Sequence, residues 1–271
     1  MRSFFKEWPR LRDRFRRSRH RLLLFDFDGT LAPIARLPSQ ARLGAKIRRM
    51  LSALSRQART SVGIVSGRSL RNVKGRVRVK GLIYVGNHGL EVDVRGKSRE
   101  ISGVRRCVPR LRLLARSLRR SLVGEDGTRV ENKGITLSVH YRNAPRSRES
   151  AIIRRIKQVV RESLGAGQLN ARRGKKVIEI VPKIRWDKGM AVRQLAGDMP
   201  QGTLILYVGD DVTDESVFRR LRSHAVTIRV GRSSGSRASY FVTRQTQMQD
   251  VLIKLLAHTL EKGDSYGTRR R

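Results

Sequence analysis

Two short apolar runs, far apart along the chain, each end abruptly in carboxylates. Leu22-Leu23-Leu24-Phe25 leads into Asp26-Phe27-Asp28-Gly29-Thr30, and Thr203-Leu204-Ile205-Leu206-Tyr207-Val208 leads into Gly209-Asp210-Asp211. A strand with no polar alternation is one buried on both faces, as in a parallel sheet covered by helices. In open sheets of that kind, ligands collect beyond the carboxyl ends of the strands. The residues just after each run are therefore the first candidates for function.

The same grammar recurs. Ser61–Val65 reads as a strand ending in Ser66-Gly67-Arg68, Gly81–Val85 as one ending in Gly86-Asn87-His88-Gly89, and Ala225–Val230 as a further strand. Between them Leu43, Ile47, Met50, Leu51 and Leu54 keep helical spacing, as do Val251, Leu252, Leu255, Leu256 and Leu260 near the end. Strand and helix in alternation predict a doubly wound, Rossmann-like parallel α/β sheet. The pattern changes near Gly103. Val104, Val108, Leu111, Ala115, Leu118 and Leu122 make one helix face. Ile135, Leu137, Val139 and Tyr141 then alternate, Ile152 to Val160 return to helical period, and Val177–Val181 is strand-like. Helix, strands, helix, strand predict an inserted α+β unit. The expected division is a core of 22–102 and 183–262, an insert of 103–182, a basic helix over 1–21 and a polar, disordered tail over 263–271. In the first segment Phe4, Trp8, Leu11 and Phe15 lie at helical spacing, with Pro9 as a possible break. That stripe either packs on the domain that follows, the preferred reading, or docks on a membrane surface.

Composition closes off other classes. A single cysteine, Cys107, excludes an internal disulfide framework and a Cys-rich zinc site. No apolar run approaches the roughly 20 residues of a membrane span. The charged N-terminus is followed by no apolar segment of the secretory kind, so a cytoplasmic protein is expected, acting as a monomer. Lys and Arg number 61 against 22 Asp and Glu, a net charge of +39. The basic residues are spread along the chain and aromatics are only 5%, so base-stacking platforms are scarce. Non-specific adhesion to polyanions at low salt is expected, and specific nucleic-acid binding is not.

In a chain so short of acids, Asp26, Asp28, Asp210, Asp211 and Asp214 follow two of the most apolar runs. One Asp after a strand can be a helix cap, but Ser39 and Ser69 are able to cap their helices without a carboxylate. Crowded carboxylates repel, and a hard cation relieves that repulsion, with magnesium preferring such oxygens. Phosphoryl transfer uses this set: an oxygen nucleophile, a divalent ion and a cation on the non-bridging oxygens. Asp26 can attack phosphorus and Asp28 can exchange protons with the leaving oxygen and water. Ser66 can donate to a phosphate oxygen, and Lys188, in Trp186-Asp187-Lys188-Gly189, can supply the cation or be a surface lysine at a helix start.

The order Asp-x-Asp-Gly-Thr (26–30), Ser66, Lys188 and Gly-Asp-Asp (209–211) resembles the four motifs of the haloacid dehalogenase-like (HAD) phosphohydrolases. GNHGLE (86–91), VENKGITLSVHYR (130–142), VIEIVPKIRWDKG (177–189) and YVGDDVTDE (207–215) narrow the resemblance to the trehalose-6-phosphate phosphatases. The resemblance implies a HAD core with an inserted cap, and Mg²⁺-dependent hydrolysis of trehalose 6-phosphate through an aspartyl-phosphate. It implies Asp26 as nucleophile, Asp28 as general acid/base with its backbone carbonyl on the metal, and Asp210 as the third protein ligand. Asp211 and Asp214 would support the metal, directly or through water. Ser66, Gly67 and Lys188 would hold the phosphoryl group. Arg68, Asn87 and His88 from the core, and Glu131, Lys133, His140, Arg142 and Glu179 from the insert, would contact the sugar. Glu131 and Lys133 lie two apart and point the same way on a strand, whereas His140 falls one off that face if the strand is unbroken, leaving it ligand or structural. Another sugar phosphate, such as sucrose 6-phosphate or a mannosyl phosphate, and a polyanion-binding protein on an idle scaffold, stay open as alternatives.

Overall fold

The computed structural model describes residues 1–35, 37–163, 168–174, 176–222 and 224–260. The tail expected to be disordered lies outside the described residues. The apolar runs pair side by side. The central sheet runs in the order Arg2–Ser3, Tyr240–Val242, Ala225–Val230, Leu204–Gly209, Arg21–Asp26, Thr60–Val65, Ile83–Gly86, Glu91–Val94 and Lys97–Glu100. The first seven of these strands are parallel and Glu91–Val94 turns antiparallel. Arg21–Asp26 and Leu204–Gly209 are buried at every position, as strands covered on both faces must be. One apolar layer, with Leu23, Phe25, Leu206 and Val208, packs under the helices Ala45–Ser55 and Met248–Leu260. The other, with Leu22, Leu24, Ile205 and Tyr207, packs under Lys188–Gly197 and Glu215–Leu221.

The Phe4–Arg17 helix runs through Pro9, and its stripe of Phe4, Trp8, Leu11 and Phe15 is buried in the first layer. Trp8 lies 5.3 Å from the ring of Phe4 and 5.7 Å from that of Phe15. The face that could have met a membrane is therefore spent on the core. Among the two serines expected to cap, Ser69 accepts from the Asn72 backbone N–H. Ser39 instead falls inside a separate 3-10 turn, Pro38–Gln40, and the helix begins at Ala45 after Gly44.

Chain contacts divide the protein into two compact units, Met1–Arg99 with Trp186 onward, and Glu100–Arg185. The second unit holds a four-stranded antiparallel sheet in the order Arg129–Asn132, Leu137–His140, Val177–Pro182 and Leu169–Gly174. Helices Val108–Ser121 and Glu149–Ser163 cover one face, burying Leu111, Leu118, Ile152 and Ile156 against Leu137, Val139, Ile178 and Ile180. The opposite sheet face is polar.

Candidate active site

Register brings the two acidic strand ends together. Tyr207 pairs with Leu24 and Val208 with Phe25, so Gly209 comes beside Asp26 and Asp210 follows it. On the other side Asp26 pairs with Val65, one residue before Ser66. Oxygens of Asp26, Asp210 and Asp214 all lie within 4.8 Å of one another.

Lys188 enters from the first residue of its helix, which Asp187 caps by accepting from the Met190 N–H at 2.8 Å. Its ammonium donates to Asp26 Oδ1 at 2.6 Å and to Asp214 Oδ1 at 3.0 Å. It is no surface lysine, being 3% exposed. Burial alone would lower its pKa, but Asp214 and Asp26 outweigh that and raise it, so the group stays charged. Asp26 is buried among acids. Desolvation, with Asp214 and Asp210, pushes its carboxyl up, and Lys188 opposes the push. Burial, with Asp214 beside it, raises Asp210 to about 7.

Asp214 has no oxygen to spare. Oδ1 accepts from Lys188 and from the Tyr207 hydroxyl at 2.6 Å. Oδ2 accepts the backbone N–H of Asp210 and of Asp211, each at 3.0 Å. Besides its place in the carboxylate cluster, Asp214 anchors Lys188 and folds the Gly-Asp-Asp turn. Asp211 starts that short turn and is half-buried. By contrast Asp26 Oδ2 and Asp210 Oδ2 accept no hydrogen bond among the described residues, while Asp210 Oδ1 takes one from Thr30 at 3.1 Å. Of three clustered carboxylates, two bond the ammonium and the third does not, and hard oxygens are left open. That donor set fits a divalent cation such as magnesium.

Gly29 makes room for this cluster. Its φ is +85°, and a Cβ there would lie 2.2 Å from Asp210 Oδ2. Gln245 fixes the same turn from the far end of the chain, donating to the carbonyls of Thr30 and Leu31 at 3.1 and 3.2 Å.

Asp28 faces Arg68. The guanidinium donates to both its oxygens, Nε to Oδ2 at 2.7 Å and Nη2 to Oδ1 at 2.6 Å. Arg68 also lies over the Phe27 ring, 5.4 Å from its centroid, and reaches Asn72. Ser66 Oγ accepts the Arg68 N–H at 3.2 Å. A Cβ on Gly67 would meet the His88 ring at 2.5 Å, so Gly67 lets that ring approach the backbone. His88 itself sits in the left-handed region, at φ 57°. Asn87, expected to contact substrate, is fully buried and donates to Glu91 Oε2 at 2.7 Å, an oxygen that also accepts the Leu70 N–H. It shapes the loop from inside, which a residue in a turn after a strand does not reveal in sequence.

The polar face of the second unit gathers the rest. Glu179 Oε1 accepts from Lys133 at 3.2 Å and from Ser138 at 3.3 Å. His140 Nε2 lies 2.8 Å from Glu131 Oε2. The hydrogen bond from His140, with Lys133 and Arg129 adding charge, outweighs burial and lowers Glu131 to about 2. His140 shares the face of Glu131 because the strand is broken. Arg129–Asn132 and Leu137–His140 are separate strands paired with Glu131 opposite Ser138, so parity counted through the turn fails. Arg142 is exposed just beyond. Thr30, Tyr207, Glu91, Ser138 and Gln245 escape sequence reasoning. All but Gln245 lie inside the quoted motifs, which is the signal that could have found them.

Comparison with known proteins follows the same lines. Residues 24–246 match the family model described as trehalose-phosphatase. The trehalose-phosphate phosphatase of Mycobacterium tuberculosis (strain ATCC 25177 / H37Ra) is 33% identical over 228 residues, 82% of this chain and 57% of that protein. That of Mycobacterium ulcerans (strain Agy99) is 35% identical over 223 residues, 80% of this chain and 56% of that protein. The chain thus spans a little over half the length of these relatives. A crystal structure of a trehalose-6-phosphate phosphatase related protein superposes with a TM-score of 0.77 at 26% identity, covering 89% of this chain and 99% of that one. The C-terminal domain of the Candida albicans trehalose-6-phosphate phosphatase shares the fold, with a TM-score of 0.80 at 23% identity over 92% of this chain and 96% of that one. The α/β core is the fold of HAD-like hydrolases, as a haloacid dehalogenase-like hydrolase from Bacteroides thetaiotaomicron with a TM-score of 0.61 at 15% identity, over 88% of this chain and 100% of that one, also indicates. With its motifs converged in space and its length matched from residue 24 to 246, the chain belongs to the trehalose-phosphatase family.

Proposed function

We propose that this chain is a cytoplasmic, monomeric, Mg²⁺-dependent phosphatase of trehalose biosynthesis, hydrolysing trehalose 6-phosphate to trehalose and phosphate. The observation that carries the reading is the buried contact of Lys188 with Asp26, beside open oxygens on Asp26 and Asp210. The charge of a sugar phosphate keeps it inside a membrane, which supports the cytoplasm as the place of reaction.

One carboxylate oxygen of Asp26 is the nucleophile, which leaves the other for the metal. It attacks phosphorus, and the bond from phosphorus to the sugar oxygen breaks. Asp28 gives that oxygen a proton. The same carboxylate then takes a proton from water, whose oxygen attacks the aspartyl-phosphate and restores Asp26. Because Arg68 holds both oxygens of Asp28, one of those bonds must be given up for each proton carried. Lys188 and Ser66, with the backbone near Gly67, hold the phosphoryl oxygens. Asp26, Asp210 and the Asp28 backbone carbonyl would hold magnesium, with Asp211 and Asp214 in support, and the ion would offset charge on the phosphoryl group. We assign reading of the disaccharide hydroxyls to Glu131, Lys133, His140, Arg142 and Glu179, whose paired donors and acceptors suit a sugar.

The test is phosphate release from trehalose 6-phosphate and from sucrose 6-phosphate, with Mg²⁺ and with EDTA. The reading expects rapid release from the first substrate only, abolished by EDTA. Equal release from both, or release that ignores EDTA, overturns it.

A further inference from the structure

The second unit has a strongly basic outer surface on the side opposite its polar sheet face. The Val108–Ser121 helix turns Leu111, Leu114, Ala115 and Leu118 inward. Arg112, Leu113, Arg116, Arg119 and Arg120 are left exposed. The neighbouring Glu149–Ser163 helix buries Ile152, Ile156 and Val160 and exposes Arg154, Lys157 and Arg161. Residues three, four or seven apart share a helix face, so Leu113, Arg116 and Arg120 form one outward row and Arg154, Lys157 and Arg161 another. The two rows are neighbours, because Arg155 donates from the second helix to the Ser121 carbonyl at the end of the first.

The acids of this region do not neutralise the rows. Glu125 is taken by Arg148 and Arg155. Glu149 is taken by Lys176. Glu162 is exposed at the end of the second helix and bonds Gln158, and Asp126 is exposed past the end of the first, so both stand at the margins of the rows. The face is not purely cationic either. Leu113 is 62% exposed, and Val123, just past the helix, is 78% exposed. An apolar side chain standing among outward arginines gains nothing from a phosphate backbone in water. It does gain from insertion among lipid headgroups, where the arginines meet phosphates and the leucine meets acyl chains. No aromatic residue stands on either row to stack on a base.

We propose that the outer face of these two helices docks on an anionic lipid surface. The partner is a phospholipid bilayer carrying net negative charge, bound peripherally. The polar sheet face lies on the other side of the same unit, so docking leaves Glu131, Lys133, His140 and Glu179 uncovered.

The experiment is co-sedimentation of the whole chain with vesicles of phosphatidylglycerol and phosphatidylcholine in equal parts, or of phosphatidylcholine alone, at about 0.15 M salt, where long-range attraction is screened. Binding to the anionic vesicles only is expected. Arg116→Gln, Arg120→Gln, Arg154→Gln and Arg161→Gln combined should weaken it about 100-fold or more, at roughly fivefold per arginine. The matching set with Lys at those positions should keep most of it. Arg14→Gln, Arg17→Gln, Arg49→Gln and Arg71→Gln, which remove the same charge from the first unit, should weaken it only a few-fold. Leu113→Gln should cost about tenfold with no change of charge. An equal loss in both glutamine sets overturns the proposal, because it assigns binding to diffuse charge. So does indifference to Leu113→Gln, or displacement from vesicles by short duplex DNA at equal phosphate, which would mark a nucleic-acid surface.

Discussion

Lys188 Nζ lies 2.6 Å from Asp26 Oδ1, and both side chains are almost wholly buried. The pair is separated by 162 positions in the chain. Its ammonium is the positive charge shared by Asp26 and Asp214, while Asp210 is left to find its own. A buried ion pair of this kind tolerates neither partner alone, since removing one leaves an uncompensated charge in low dielectric.

Lys188→Met should therefore lower stability by about 3–5 kcal/mol and kcat by about 1,000-fold or more. Thermal melting and phosphate release measure the two effects. Turnover near the parent value would remove Lys188 from the reaction.

Asp26→Asn keeps the side-chain shape but removes the nucleophile. Phosphate release should vanish while the far-UV circular dichroism is unchanged. No radioactive phosphate should stay on the chain after acid quench, whereas the parent should trap it. An active Asn variant would exclude the covalent route.

Arg68 grips Asp28 with a fork that lysine cannot copy. Arg68→Lys should keep the charge yet lower kcat by about tenfold, with KM for trehalose 6-phosphate little changed. The steady-state split between kcat and KM is the readout. A change confined to KM would make Arg68 a sugar contact instead.

Glu131 is held at about 2, below its usual 4.5, first by the hydrogen bond from His140. A depressed carboxylate stabilises the folded state fully above its unfolded pKa and loses that contribution as pH falls through the folded value. With about a quarter of the side chain exposed, the contribution is about 1–2 kcal/mol after screening. Urea unfolding of the parent and of Glu131→Gln should differ by that much at pH 7. The gap should narrow as pH falls from 5 toward 3. A gap independent of pH would mean that the charge of Glu131 stabilises nothing.

Much of the active centre was readable from letters alone, and the reason is local. Strands covered on both faces must be apolar throughout, so Leu22–Phe25 and Leu204–Val208 announce themselves, and the acids at their ends stand out. Parallel neighbours end at the same edge, which is why Asp26 and Asp210 could be expected to meet before their distance was known. Helical spacing likewise exposed the stripe of Phe4, Trp8, Leu11 and Phe15, and its packing on the following domain was the preferred reading.

Other features depended on partners distant in the chain. Tyr207 reads as one more apolar strand residue until its hydroxyl is found on Asp214. Asp214 looks like any other acid of its motif until four donors fill its oxygens. Asn87 looks like a loop residue facing ligand until Glu91 holds it inside. His140 changes side because a turn resets the alternation of its strand. Periodicity records which face of an element is buried, whereas hydrogen-bond occupancy is settled only when remote segments pack, and that is where a carboxylate becomes either a ligand or a support.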